Sequence, residues 1–248
     1  MQCLSYMLVF IALTVNLGWV SSQAEANSVG KISEMASEAR RQVNNLKRTG
    51  WTTDKKLEAI QILGPSALQF VAIPNLAKAV KTDSGKNAVR RIYDTLHSPL
   101  NDIYEASFNR LDQMTADVIA ADGDLEAVQD SQAYLQEQGV VSRSLYFLNW
   151  LNYIGSFTLE GENKEKLLTT AMNGFSEFAV GDQASRLKNE SLFGRALCER
   201  ELQKFDWAVR DFELLLKQPG VAVAMRKKAE TALKQTRRYA KSGRSDAD

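Results

Sequence analysis

The sequence predicts an all-α protein, and three observations carry that prediction. Apolar residues recur at spacings of three, four and seven along most of the chain, the period of one helical face. The composition, 44% hydrophobic and 25% charged over 248 residues, is that of an ordinary globular chain long enough for a sizeable core. The stretch from Ser191 to Pro219 reads as a helix, a tight turn and a second helix. Its first half sets Leu192, Ala196 and Leu197 on one face, and its second half sets Phe205, Ala208, Phe212 and Leu215 on another. Ala196 and Ala208 let two backbones approach closely, Phe212 with Leu214, Leu215 and Leu216 fills the seam, and Pro219 and Gly220 stop the second helix.

Residues 1 to 24 carry no charged side chain and contain the apolar run Met7 to Val20, followed by Ser21, Ser22, Gln23 and Ala24. That order reads as a secretory signal peptide cleaved after Ala24 or Ala26, and the address it implies is the periplasm or cell envelope. Retention of the run as an anchor is the alternative, and only then is a membrane a partner. Cleavage would leave Cys198 as the single cysteine, so stability must come from burial; Cys198 itself reads as a small buried residue.

Residues 25–100 are expected to form an N-terminal helical segment. Val29, Ile32, Met35, Ala39, Val43 and Leu46 mark an amphipathic helix ended by Gly50, and Thr53 or Asp54 is placed to cap the next. Between Ala59 and Ala77 there is no charge, and the Gly64-Pro65 pair predicts a break between two buried helices there. Ser84, Gly85, Lys86 and Asn87 lack the upstream glycine and the hydroxyl of a phosphate-binding loop, so they read as a polar turn before a helix. His97, the only histidine, precedes Ser98 and Pro99 at a predicted break.

Residues 101–240 are expected to hold three helical hairpins. A first spans a helix to Ala121, a turn at Asp122-Gly123-Asp124 and a helix from Leu125 to Gln138, with Ala116, Ala127, Val128 and Leu135 at packing positions. A second runs from Ser144 to Val180, with Leu167, Ala171, Phe175 and Phe178 in its second helix and a long loop from Thr158 to Lys164. The third is the Ser191 to Pro219 stretch. Val221 to Ala240, with Val223, Ala229, Leu233 and Tyr239 set among basic residues, is a polar terminal helix, and residues 241–248 read as a tail.

The third hairpin resembles a tetratricopeptide (TPR) repeat, with Ala196, Phe205, Ala208, Phe212 and Pro219 at the positions that family fills with small, aromatic, Ala, large and Pro residues. It departs from the pattern at the turn, where Gln203 stands for Gly, at Glu199, where the family has an aromatic, and at Pro219, which comes one residue early. The resemblance covers about half the chain and implies an α-solenoid of about three TPR-like hairpins, with an N-terminal helical extension and a C-terminal capping helix. It also implies protein–protein binding through a concave groove. The contact residues expected on that basis are Tyr146, Asn149, Trp150 and Tyr153, from an aromatic series in which Tyr146, Trp150, Tyr153 and Phe157 stand at i, i+4, i+7 and i+11. Packing between repeats is the other reading of the same series.

The net charge of +1 gives no global pointer to nucleic acid or a membrane surface. Locally, 111–138 holds seven acidic residues and no Lys or Arg, and 221–248 holds eight basic residues against three acidic. Such polarity can orient a partner or draw molecules head to tail, or it can be two solvated faces. The turn at Asp122 to Glu126 lacks the ligand order of an EF-hand, and a single histidine rules out histidine-rich zinc sites. No cofactor or metal is implied. The competing class is an enzyme using carboxylates such as Asp117 and Asp124, which requires them to converge in a closed pocket.

Overall fold

The structure, a computed structural model, describes residues 29–72, 76–179 and 186–245, and all the regular elements among them are helical. The export signal assigned to residues 1–24 lies outside this range. In chain order the helices are α1 (Val29–Lys47), α2 (Thr53–Val71), α3 (Leu76–Ala79), α4 (Asp83–Ala120), α5 (Leu125–Gln129), α6 (Gln132–Ser156), α7 (Gly161–Ala179), α8 (Arg186–Glu201), α9 (Phe205–Lys217) and α10 (Val223–Ser245). Each long helix packs on the next: α1 on α2, α4 on α6, then α6, α7, α8, α9 and α10 in succession. In addition α1 lies on α4, and α2 on both α4 and α6, so one hydrophobic core runs from Ile32 to Leu233.

α1 buries Ile32, Ala36, Ala39 and Val43, the expected stripe shifted to include Ala36, and Gly50 closes its exit with a positive φ of 79°. The cap of α2 is Thr52, ahead of the expected Thr53 or Asp54, its hydroxyl accepting from the Lys55 amide. Thr82 caps α4 in the same way through the Gly85 amide, so the Ser84 to Asn87 turn forms the start of that helix.

Three predicted breaks are absent. α2 continues through Gly64 and Pro65, α4 continues through Ser98 and Pro99, and α6 continues through Gln138 and Gly139. A proline inside a helix costs roughly 3 kcal/mol, whereas each fully buried Leu or Ile contributes about 1.5–3 kcal/mol. Leu96, Leu100 and Ile103 are all fully buried around Pro99, and Ile60, Leu63, Ala67 and Phe70 are buried around Pro65. Burial on both sides of the breaker therefore outweighs it. In α6 the buried positions Glu137, Val140, Ser144, Leu148, Leu151 and Gly155 keep one unbroken i+3/i+4 stripe across the expected gap. The long α4 also carries the chain across residue 100, where the N-terminal segment was expected to end.

The first hairpin consequently differs from its expected form. The chain breaks at Asp130 and Ser131, α5 buries no residue, and Ala116 and Ala127 are exposed. The left-handed residue of its turn is Asp122 (φ 51°), not Gly123. The second hairpin buries Leu168, Ala171 and Phe175, while Leu167 and Phe178 are half-buried, and its loop is short because α7 starts at Gly161. The third forms as expected, with Leu192, Ala196, Ala208, Phe212 and Leu215 buried and Gln203 left-handed at its turn. α10 buries Ala229, Ala232, Leu233 and Thr236, leaves Val223 and Tyr239 exposed, and extends to Ser245 through what was expected as tail.

Two glycines set how closely the central helices approach. A Cβ at Gly155 would stand 2.5 Å from the Tyr93 ring, and one at Gly174 would stand 2.0 Å from Asn149 Oδ1. α6 is thus held against α4 and α7 at distances that no larger residue at these points permits.

Candidate functional site

α6 is the helix on which the expected partner contacts lie, and the structure turns them inward. Asn149 is 1% exposed, Tyr153 7% and Trp150 9%, because α4, α7 and α8 surround this part of α6. The Trp150 ring meets Phe175 of α7 edge-on at 4.9 Å, and Tyr153 lies edge-on to Phe157 at 5.2 Å. Tyr146 is half-buried, and its hydroxyl donates to Glu190 of α8 at 2.6 Å, while Arg186 donates to the other oxygen of that carboxylate at 2.7 Å. Burial pushes the Tyr146 and Tyr153 phenols well above their ordinary value. The four residues therefore form helix–helix seams, not a ridge open to a partner. The helical spacing that singled them out is the spacing of a buried stripe on a helix with neighbours on several sides.

The same seams are unusually polar. Tyr93 of α4 donates to Asn152 Oδ1 at 3.0 Å, and burial lowers the pKa of His97, whose ring lies 4.8 Å from that of Tyr93. Where α2, α4 and α6 meet, Lys56 Nζ lies 2.7 Å from Glu137 Oε2 and 3.0 Å from Ser107 Oγ, and Thr53 donates to the other oxygen of Glu137. Burial acts to raise the Glu137 pKa, and the hydrogen bonds from Lys56, Thr53 and Ser107 outweigh it and hold the pKa low. Between α8 and α9, Arg195 grips Asp211 with two hydrogen bonds of 2.5 and 2.9 Å. Glu199, one turn further along α8, is buried with one oxygen unpartnered, and burial together with Asp211 pushes its pKa up to about 7. Cys198 is fully buried, as expected, and burial raises its thiol pKa.

These perturbed groups lie inside packed seams, away from the surface concavities. Two of those concavities, both open, are each lined by a single helix: one by Glu230, Leu233, Lys234, Arg237, Arg238 and Lys241 of α10, the other by Ser33, Glu34, Ser37, Glu38 and Arg41 of α1. Asp117 and Asp124 do not converge. Both are exposed; Asp117 accepts a hydrogen bond from Gln113, and Asp124 caps α5 through the Ala127 amide. Among the described residues no group of three His, Cys, Asp or Glu side chains is placed to hold a metal ion.

One surface departs from the rest of the molecule. Ser107 and Glu137 are the last buried residues of α4 and the first of α6, and from 108 to 136 no residue is buried. The end of α4, α5 and the start of α6 pack on one another as an arm that extends past the core. Phe108 (42% exposed) and Ile119 (65%) stand on it in the open, beside Asp112, Asp117, Asp122, Asp124, Glu126 and Asp130. None of those six carboxylates forms an ion pair among the described residues. Phe108, Asp112 and Ile119 stand at i, i+4 and i+11 and share one face of α4. The sequence signal for this arm is the acidic run without Lys or Arg; its projection depends on α4 and α6 being continuous helices, which the local breakers concealed. No known family model, curated protein or solved structure matches the chain.

Proposed function

We propose that the chain is an exported, non-catalytic interaction scaffold of the periplasm or cell envelope, and that it binds a basic protein partner through the arm formed by residues 108–136. The observation that carries this reading is the arm itself. Of their apolar side chains the helical residues of the arm half-bury only Leu111, Met114, Val118, Leu125, Val128, Tyr134 and Leu135 and add nothing to the core, so at roughly 25 cal/mol for each Å² of apolar surface removed from water they gain less from folding than the core helices until something covers them. Exposed Phe108 and Ile119 offer an apolar anchor, and the unpaired carboxylates around them would attract a cationic surface and repel an acidic one. The TPR-like reading is kept for the C-terminal hairpin: α8 and α9 pair through Ala196, Ala208 and Phe212, and α10 covers α9 as a capping helix would. Export rests on residues 1–24, and N-terminal sequencing of protein from the envelope fraction is expected to read Glu25 or Asn27 first. A start at Met1 would make it a tethered adapter.

The docking reading is tested by affinity purification from the native envelope, comparing the wild-type chain with a Phe108→Ser/Ile119→Ser variant shown to be folded by circular dichroism. The expected result is a defined basic partner that elutes with salt and is lost in the variant. Equal recovery by both proteins would place the binding surface elsewhere.

A further inference from the structure

We infer that a second copy of this chain is an occupant of the arm, docking there through the basic outer face of its α10. The inference rests on the reading of the arm as a docking surface. Lys227, Lys234, Arg238 and Lys241 stand at i, i+7, i+11 and i+14, so they form one straight stripe along α10. All four are exposed, and none forms an ion pair among the described residues. Over the whole of α10 the sequence has eight basic residues and one acidic residue, Glu230. The stripe spans about 21 Å at 1.5 Å per residue, and the Phe108 to Ile119 face of α4 spans about 16 Å, so one helix face can lie along the other.

The two surfaces also match in their apolar parts. The shallow hollow on α10 is floored by Leu233 and walled by Glu230 and the stems of Lys234, Arg237, Arg238 and Lys241, and it offers a seat for an exposed side chain such as Phe108 or Ile119. Within one molecule they do not meet: α10 packs only on α8 and α9, and none of α4, α5 and α6, the helices that form the arm, packs on it. Each copy therefore presents an acidic arm at one place and a basic helix at another. Two copies can satisfy both contacts reciprocally about a two-fold axis, and copies that pair only one way propagate head to tail. The charges at the contact are solvent-exposed, so the association is weak and strongly salt-dependent.

Sedimentation velocity of the mature chain tests this, over about 10–500 µM and in low and high salt. The wild type is expected to shift to larger species with concentration in low salt and to return to monomer in high salt. A variant with Asp112, Asp117 and Glu126 changed to Lys is expected to stay monomeric, as is one with Lys234, Arg238 and Lys241 changed to Glu; all six side chains are exposed, so folding is not at stake. Mixing the two variants restores opposite charges across the contact and is expected to restore the larger species. A wild type that remains monomeric throughout overturns the inference, as does assembly that survives either reversal or a mixture that fails to associate. Loss of the envelope partner by the Phe108→Ser/Ile119→Ser variant is independent of these outcomes, so failure of self-association leaves the docking reading standing on its own test.

Discussion

Burial beside Asp211 holds the Glu199 carboxyl at about 7, well above its value in an unfolded chain, and this makes stability depend on pH. Below the unfolded pKa both states carry the proton. Between that value and about 7 the unfolded chain ionises while the folded chain keeps its proton, so stability falls as pH rises; above it the loss is complete. The shift corresponds to about 3 kcal/mol. Glu199→Gln is expected to match the wild type near pH 4.5 in urea unfolding and to exceed it by about 2–3 kcal/mol near pH 8. An unchanged difference across that range would remove Glu199 as the source. Just past the same end of α8, Gln203 sits at φ 61° where its side chain opposes the backbone. Gln203→Gly is expected to raise stability by about 0.5–1 kcal/mol, read from the urea midpoint. The sequence already marks this position, since Gln203 stands where a glycine suits the turn. The elevation of Glu199 was not legible, because it depends on Asp211 arriving from the next helix.

At the scale of elements, the Lys56–Glu137 pair ties α2 and α4 to α6 at the last point before the arm begins. Both side chains are buried, so removing one leaves an uncompensated charge in a low-dielectric seam. Lys56→Met is expected to cost about 3–5 kcal/mol, and Lys56→Met with Glu137→Leu to recover most of that loss, because matched apolar groups need no partner. A double mutant as unstable as the single would contradict this. Continuity of α2, α4 and α6 is where sequence reading fell short. Pro65, Pro99 and Gly139 are local signals for a break, and only contacts far away in the chain decide that the helix goes on. The C-terminal hairpin was legible in detail because its partners lie next to each other in sequence. The aromatic series of α6 was legible as a stripe, but a stripe reads the same whether a neighbouring helix or a partner covers it.

For the whole molecule, the core accounts for every described helix except the arm. Phe108→Ser and Ile119→Ser together are expected to cost the isolated chain no more than about 1–1.5 kcal/mol, because Ile119 is open and Phe108 gives up mainly its stack on Tyr104 at 5.8 Å. A loss of several kcal/mol on unfolding would mean that the arm is part of the core. The acidic run was visible in the sequence from 111 to 138, yet its last member, Glu137, is buried on Lys56 while the other six face water. On the proposed reading, partners meet the arm and not merely any exposed apolar residue. Site-specific photo-crosslinking in the native envelope tests it, with benzoylphenylalanine at Ile119 on the arm and, as a control, at Trp207 on α9, which is equally exposed at 66%. A crosslinked partner is expected from position 119 and none from position 207. Crosslinks from 207 with none from 119 would contradict it.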